Sequence, residues 1–122
     1  PAIRVQANML QVINTPAYPK LGFDTFAGWF GYLMPNDVLF LKRFATYPER
    51  VYNEMVGLTV SLYYYEDVVC ELEPLGPMEV LAPGESSTFT EEWWLMPYPF
   101  PGRRDALVVE HLTEVAQGMM GR

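Results

Sequence analysis

The sequence contains only one cysteine, Cys70, and only one histidine, His111. A single cysteine excludes an internal disulfide and a thiolate metal cluster, and the preceding Val68 and Val69 predict a buried, unreactive thiol. A zinc site needs more His and Cys ligands than the chain has, so we expect no metal and no cofactor. A catalytic Ser–His–Asp or Cys–His set would have to use His111, which falls in a predicted C-terminal helix, and we expect it to face solvent.

Positive charge is also scarce, with 8 Lys and Arg residues against 15 Asp and Glu residues, a net charge of -7. A surface of that sign repels phosphate backbones and no basic stripe offsets it, so we expect no nucleic-acid partner. No segment approaches the roughly 18 consecutive apolar residues of a membrane span, so we expect no membrane partner. The N-terminal residues lack the pattern of a secretion signal, and the lack of disulfides favours a reducing compartment such as the cytoplasm.

Apolar residues, in contrast, make up half of the 122-residue chain, and 15% of the residues are aromatic. This composition is rich enough in apolar surface to build one hydrophobic core. The 11 prolines and 9 glycines are scattered along the chain, which is typical of many short strands joined by turns. We therefore predict one domain over residues 1–122.

Period-two alternation and turn residues predict an antiparallel β-sandwich with a short C-terminal helix. The turn residues Met34–Pro35–Asn36–Asp37 make residues 27–44 a β-hairpin, and Glu66–Asp67 predicts a second tight turn. Asp105 is the predicted N-cap of a helix over about 105–118, whose apolar residues recur at helical spacing. The predicted strands cover residues 3–7, 9–13, 20–23, 27–33, 38–41, 55–65, 68–73 and 86–96.

Two groups of charged residues are candidates for chemistry. Glu71 and Glu73 are two residues apart on one strand and therefore share a face. A carboxylate among aromatic rings can act in proton transfer, and the alternative is that both face water on an acidic surface. Lys42 and Arg43 form the main cationic position. Adjacent strand residues point to opposite faces, so at most one of them lines a given pocket, and the alternative for both is a solvated ion pair.

Aromatic side chains are the remaining candidates, because sugar rings stack their C–H groups on aromatic faces. The alternative is that these side chains pack in the core or at a sheet edge. The aromatic residues considered are Trp29, Tyr63, Tyr64, Tyr65, Trp93 and Trp94. The ligand-binding candidates taken from all groups are Trp29, Lys42, Arg43, Tyr63, Glu71 and Trp93.

Five short segments, taken together and in order, resemble a bacterial family of unknown function among the galactose-mutarotase-like (aldose 1-epimerase-like) sandwiches. The resemblance covers roughly residues 18–96 and is to the C-terminal region of that family. The segments are Lys20–Phe23 (KLGF), Ala27–Trp29 (AGW), Val38–Phe44 (VLFLKRF), Glu71–Pro77 (ELEPLGP) and Leu81–Ser86 (LAPGES).

The resemblance implies an antiparallel supersandwich, here partial or reduced, that binds a sugar on a concave face. In the mutarotase group a glutamate removes the anomeric hydroxyl proton and a histidine protonates the ring oxygen. Leu72–Glu73–Pro74, upstream of the turn Leu81–Glu85, is similar to the segment that holds this glutamate, so the resemblance assigns the role to Glu73. The group's active histidines lie upstream, where this chain has none.

Three functions follow as hypotheses. The first is a non-catalytic, carbohydrate-related domain that binds a sugar weakly or supports a neighbouring catalytic region. The second is part of an aldose 1-epimerase-like enzyme with Glu73 as general base. The third is a structural domain that self-assembles: Trp93 and Trp94 point to opposite faces of one strand, one core layer cannot bury both, and we therefore expect a homodimer.

Overall fold

The structure is a computed structural model that describes residues 2–55, 57–66 and 68–121. Over these residues the chain forms three antiparallel sheets, one short 3-10 helix (Arg104–Ala106) and one C-terminal helix, α1 (Val109–Met120). The predicted class, all-β with a C-terminal helix, is confirmed. The strands are β1 (Ile3–Gln6), β2 (Met9–Val12), β3 (Lys20–Phe23), β4 (Trp29–Met34), β5 (Val38–Phe44), β6 (Val60–Tyr65), β7 (Val69–Pro74) and β8 (Glu91–Pro97).

The chain divides into two compact units, each assembled from separate stretches of sequence. The first unit contains the N-terminal segment through Ala17, residues Trp29–Arg43 and the C-terminal segment from Trp93. The second contains Tyr18–Gly28 and Phe44–Glu92. The single domain expected over residues 1–122 stays a prediction.

In the first unit, the hairpin of β1 and β2 turns more tightly than predicted. Ala7 and Asn8 form a two-residue loop between the paired Gln6 and Met9, and both have left-handed backbone angles, with φ of 50° and 59°. Two central residues with positive φ fit the right-handed twist of the flanking strands. The prediction that Ala7 continues β1 was therefore wrong, because Ala7 belongs to the turn.

The sheet β4-β5-β8 and helix α1 enclose the core of the first unit. The predicted hairpin is confirmed: Met34 pairs with Val38, and Asp37 takes the left-handed conformation at φ 62°. Leu39 and Leu41 on β5 are fully buried. The core cluster consists of Leu39, Leu41, Tyr98, Leu112, Ala116 and Met120, and its members on α1 recur every four residues.

Helix α1 begins at Val109 rather than at Asp105, and ends at Met120 rather than at residue 118. Asp105 does not cap it, because its carboxylate is bound to Arg103 and its backbone lies in the 3-10 helix. The backbone is extended at Leu107 and Val108, so the two helices stay separate. The prediction that Asp105 is the N-cap of this helix was therefore wrong.

The second unit contains the sheet β3-β6-β7, which is antiparallel throughout. Strand β6 begins at Val60, later than the predicted 55–65, since Gly57 has a positive φ of 95° and Glu54 accepts two turn hydrogen bonds from Gly57 and Leu58. Strand β8 begins at Glu91, later than the predicted start at residue 86. Residues 86–90 are exposed and not in a strand. The predicted strand over residues 55–65 includes Val56, and the predicted turn at Glu66–Asp67 includes Asp67. Val56 and Asp67 lie outside the described residues.

Candidate functional site

The two faces of the β4–β5 hairpin differ in character. Phe30 pairs with Lys42, and Tyr32 pairs with Phe40, so these four side chains share one face. The other face carries the leucines that pack against α1. The prediction that Lys42 and Arg43 point to opposite faces is confirmed. We call Phe30, Tyr32, Phe40, Lys42 and Trp93 the aromatic face.

Lys42 lies among aromatic rings on this face and is only 8% exposed. Its Nζ atom lies 5.9 Å from the ring centre of Phe30, 5.8 Å from that of Phe40 and 5.0 Å from that of Trp93. These distances are within the range at which an ammonium group is attracted to the face of an aromatic ring. Lys42 is therefore buried beside aromatic rings rather than solvated, and its role as an ion-pair partner stays a prediction.

Trp93 is held in place and yet remains open to solvent. Its ring meets that of Phe40 nearly edge to face, with centroids 5.4 Å apart and an interplanar angle of 85°. The Nζ atom of Lys42 lies 5.0 Å from the Trp93 ring centre. The residue is still 64% exposed. Leu95, two residues along β8 and hence on the same face, is 70% exposed. Trp93 therefore presents a largely exposed apolar ring that packs against Phe40.

Trp29 and Arg43 belong to the opposite, helix-facing side of the sheet. Trp29 packs against the core cluster and is half-buried. The Arg43 guanidinium donates from Nη1 to the main-chain oxygen of Met120 and lies 5.2 Å from the ring centre of Trp94. These two ligand candidates thus have structural contacts, and the structure does not bring them together with Lys42 and Trp93.

The remaining candidates lie in the second unit, on one face of the sheet β3-β6-β7. Glu71 pairs with Tyr63, and Glu73 pairs with Ser61, so the two carboxylates do share a face as predicted. Glu71 is exposed, whereas Glu73 and Tyr63 are half-buried. Ser61 is fully buried, and its Oγ has no hydrogen-bond partner among the described residues. This face places Glu73 beside a buried, unsatisfied hydroxyl.

A small depression of about 250 Å³ lies on the same sheet and is lined by Lys20, Gly22, Met55 and Leu58. Gly22 pairs with Ser61 across the sheet, which puts the depression on the face that carries Glu73. The absence of a side chain at Gly22 leaves room for Leu58, because a Cβ there would lie 2.2 Å from Leu58 Cδ1. The assignment of Glu73 as a catalytic base stays a prediction.

Cys70 and His111 take positions that suit structural roles. Cys70 is half-buried, and burial, together with the charge of Glu71, raises the pKa of its thiol. His111 is exposed on α1, as predicted, with its ring 5.9 Å from that of Tyr98. Across residues 2–55, 57–66 and 68–121 no three His, Cys, Asp or Glu side chains are grouped closely enough to hold a metal ion.

Sequence reasoning missed Phe30, Tyr32 and Phe40, which complete the surroundings of Lys42 and Trp93. The signal was available, because alternation along the predicted hairpin puts these rings on the face of Lys42.

In the part of the chain that the structure describes, no helix has the length and apolar character needed to cross a membrane. Comparison with protein-family models, with curated proteins and with solved structures gives no match to this chain.

Proposed function

We propose that the protein is a non-catalytic carbohydrate-binding domain that presents Trp93 as its stacking platform. The observation that carries the proposal is that the indole ring is 64% exposed while Phe40 and Lys42 hold it in place. The C–H face of a sugar gains contact area on such a ring. A ring that is already fixed loses little conformational entropy on binding.

The surroundings of Trp93 also offer polar groups that could orient a sugar. Tyr32 is exposed on the same face, beside Phe40, and its hydroxyl can donate and accept hydrogen bonds. The face is open rather than enclosed, and open sites bury only part of a small ligand. Weak binding of single sugars, and stronger binding of oligosaccharides that extend along the sheet, is the expected behaviour.

Isothermal titration with a panel of mono- and oligosaccharides tests this function. We expect W93A to lower the affinity about tenfold or more, because it removes the stacking ring. Y18A is the matched control, since it also removes an exposed aromatic ring, but from the second unit. Equal affinity of W93A and the unchanged protein for a bound sugar would contradict the proposal, as would the lack of binding to every sugar in the panel.

Self-assembly into a homodimer is the second candidate function. Trp93 and Leu95 form a pair of largely exposed apolar side chains on one strand face, a feature of surfaces that bind other protein chains. The same residues would then be buried by a second copy. Sugar binding and dimerisation would both use the Trp93 ring. A saturating sugar would therefore compete with the second copy for this surface.

An aldose 1-epimerase-like activity, with Glu73 as general base, is the third candidate. It rests on the resemblance of Leu72–Glu73–Pro74 to the mutarotase segment and on the half-buried position of Glu73. Support for a neighbouring catalytic region remains compatible with the first proposal. Polarimetry on freshly dissolved α-glucose or α-galactose tests the activity itself.

A further inference from the structure

A surface cavity in the first unit joins Arg4 with Arg103 and Arg104, which lie far from it in the sequence. This cavity of about 560 Å³ is lined by Arg4, Ile13, Asn14, Arg103, Arg104 and Asp105. Three of the chain's 8 basic residues thus meet around one cavity of a protein whose net charge is -7. No basic stripe marks this site in the sequence, because the fold assembles it.

Arg103 is the arginine whose charge is already compensated. It donates from Nε to Asp105 Oδ1 (3.0 Å) and from Nη2 to Asp105 Oδ2 (2.6 Å). This two-point pairing lowers the pKa of Asp105, and the nearby charge of Arg4 lowers it further, so the carboxylate is ionised at neutral pH. Arg103 and Asp105 therefore form a neutral pair at the edge of the cavity.

Arg104 is held only loosely. Its Nη1 atom lies 3.5 Å from the main-chain oxygen of Ile13 and 3.5 Å from Asn14 Oδ1, at the outer limit of hydrogen bonding. The residue is exposed, and its side chain can turn toward a ligand in the cavity without loss of a strong contact.

Arg4 has a donor with no acceptor among the described residues. It donates from Nε to Gln11 Oε1 (2.7 Å) and from Nη1 to the main-chain oxygen of Asp105 (2.9 Å). Its Nη2 atom is buried, as is Nε2 of Gln11, its partner across the β1–β2 hairpin, and neither atom has an acceptor among the described residues. Buried N–H groups without partners are rare and unfavourable. Arg4 lines the cavity, and a side-chain movement that brought this group to an acceptor in the cavity would remove that cost.

We propose that this cavity binds a phosphate-type oxyanion, either inorganic phosphate or the phosphate group of a small ester. Three guanidinium groups against one carboxylate leave two positive charges, which match a dianion. Guanidinium groups also present paired donors in the geometry that phosphate oxygens accept. A long polyanion would be repelled by the net charge of -7, whereas a small one interacts mainly with the cavity. The proposal is independent of the sugar site at Trp93.

Titration calorimetry with inorganic phosphate, at low ionic strength, tests the site. We expect binding to the unchanged protein, and about a tenfold or greater loss of affinity in R104M, because a charge-assisted hydrogen bond is lost. R104M changes an exposed residue and should fold normally. R50M is the matched control: it removes an exposed arginine paired with Glu79 in the second unit, and should leave phosphate affinity unchanged.

Further titrations identify the ligand chemistry. Sulfate should compete with phosphate because it is also a tetrahedral dianion, whereas acetate at the same concentration should not. Glycerol phosphate binding more tightly than inorganic phosphate would assign the site to an ester, and the reverse order would assign it to the free ion. Absence of phosphate binding at millimolar concentrations, or equal losses in R104M and R50M, would overturn the proposal.

Discussion

Arg43 on strand β5 donates a hydrogen bond to the main-chain oxygen of Met120, the last residue of helix α1. The final carbonyl groups of a helix have no partner within the helix and carry partial negative charge. A guanidinium group at this position therefore satisfies a carbonyl and opposes the helix dipole. The same group lies 5.2 Å from the ring centre of Trp94, which supports its flat side. Arg43 thus fixes the end of α1 against the sheet.

The first prediction concerns R43M, which keeps much of the side-chain length but removes the charge and the donors. We expect a loss of about 1.5–3 kcal/mol in the free energy of unfolding, the typical value for a hydrogen bond to a charged group. R43K, which retains the charge but not the planar fork, should lose less. Urea denaturation measures both values.

Hydrogen exchange locates the effect of the same variant. Amides in the last turn of α1 should exchange faster in R43M, because that end of the helix loses its attachment. Unchanged exchange over residues 117–121, together with an unchanged free energy of unfolding, would show that the contact with Met120 does not hold the helix.

The second prediction concerns Thr59, which is 1% exposed in the second unit. Its Oγ1 accepts a hydrogen bond from the Thr25 amide (2.9 Å) and donates to the Thr25 carbonyl oxygen (2.6 Å). T59V has nearly the same shape but leaves both groups of Thr25 without that partner. We expect it to lower the free energy of unfolding by about 1–3 kcal/mol.

T59S provides the matched control, since it keeps the hydroxyl and removes one methyl group, at a cost of about 0.8 kcal/mol. Urea denaturation of both variants makes the comparison. If T59V proved as stable as T59S, the hydroxyl of Thr59 would not be what joins the bend before β6 to residues 23–25.

Local patterns predicted most of the strands, because the alternation of residues and the turn chemistry both act over a few neighbours. Strand β3 and the β4–β5 hairpin follow directly from Lys20–Phe23 and from the turn that ends at Asp37. One error occurred where long-range contacts decide the backbone. Thr59 is hydrogen-bonded to Phe23 and Thr25, so the chain bends before Val60 instead of continuing the long strand predicted from its β-branched residues.

The candidate sites were predicted only in part, for the same reason. Alternation correctly put Lys42 and Arg43 on opposite faces, and it put Trp93 and Trp94 on opposite faces as well, with Trp94 against the core cluster. It could not show that Lys42 is buried among rings contributed by two neighbouring strands. It also could not show that Arg4 and Arg104 line one cavity, because their placement depends on tertiary structure.

The third prediction is that the protein does not speed the interconversion of sugar anomers. The mutarotase reaction uses a glutamate base and a histidine acid that lies upstream of it, whereas the only histidine of this sequence, His111, lies downstream of Glu73. Polarimetry on freshly dissolved α-glucose and α-galactose should give the rate of buffer alone. An acceleration that disappears in E73Q would overturn the non-catalytic proposal and favour the epimerase candidate.

The last prediction is that the chain forms a twofold dimer through the aromatic face. Trp93 and Leu95 are 64% and 70% exposed on one strand face, and burying them against a second copy removes apolar surface from water. A stable interface of this kind buries roughly 1,200–2,000 Å² in total. Light scattering over a wide dilution range should therefore give twice the chain mass of 14.0 kDa, falling toward one chain at the lowest concentrations.

L95K tests which surface is responsible, because a lysine at the centre of a symmetric apolar contact brings two like charges together. We expect L95K to be monomeric at concentrations where the unchanged protein is dimeric. V80K is the control, since Val80 is also an exposed apolar residue but lies in the second unit.

Addition of a sugar that binds Trp93 should dissociate the dimer, because the sugar and the second copy use the same ring. A mass of 14.0 kDa at every concentration would contradict the dimer, and a dimer that persists in L95K would place the interface elsewhere.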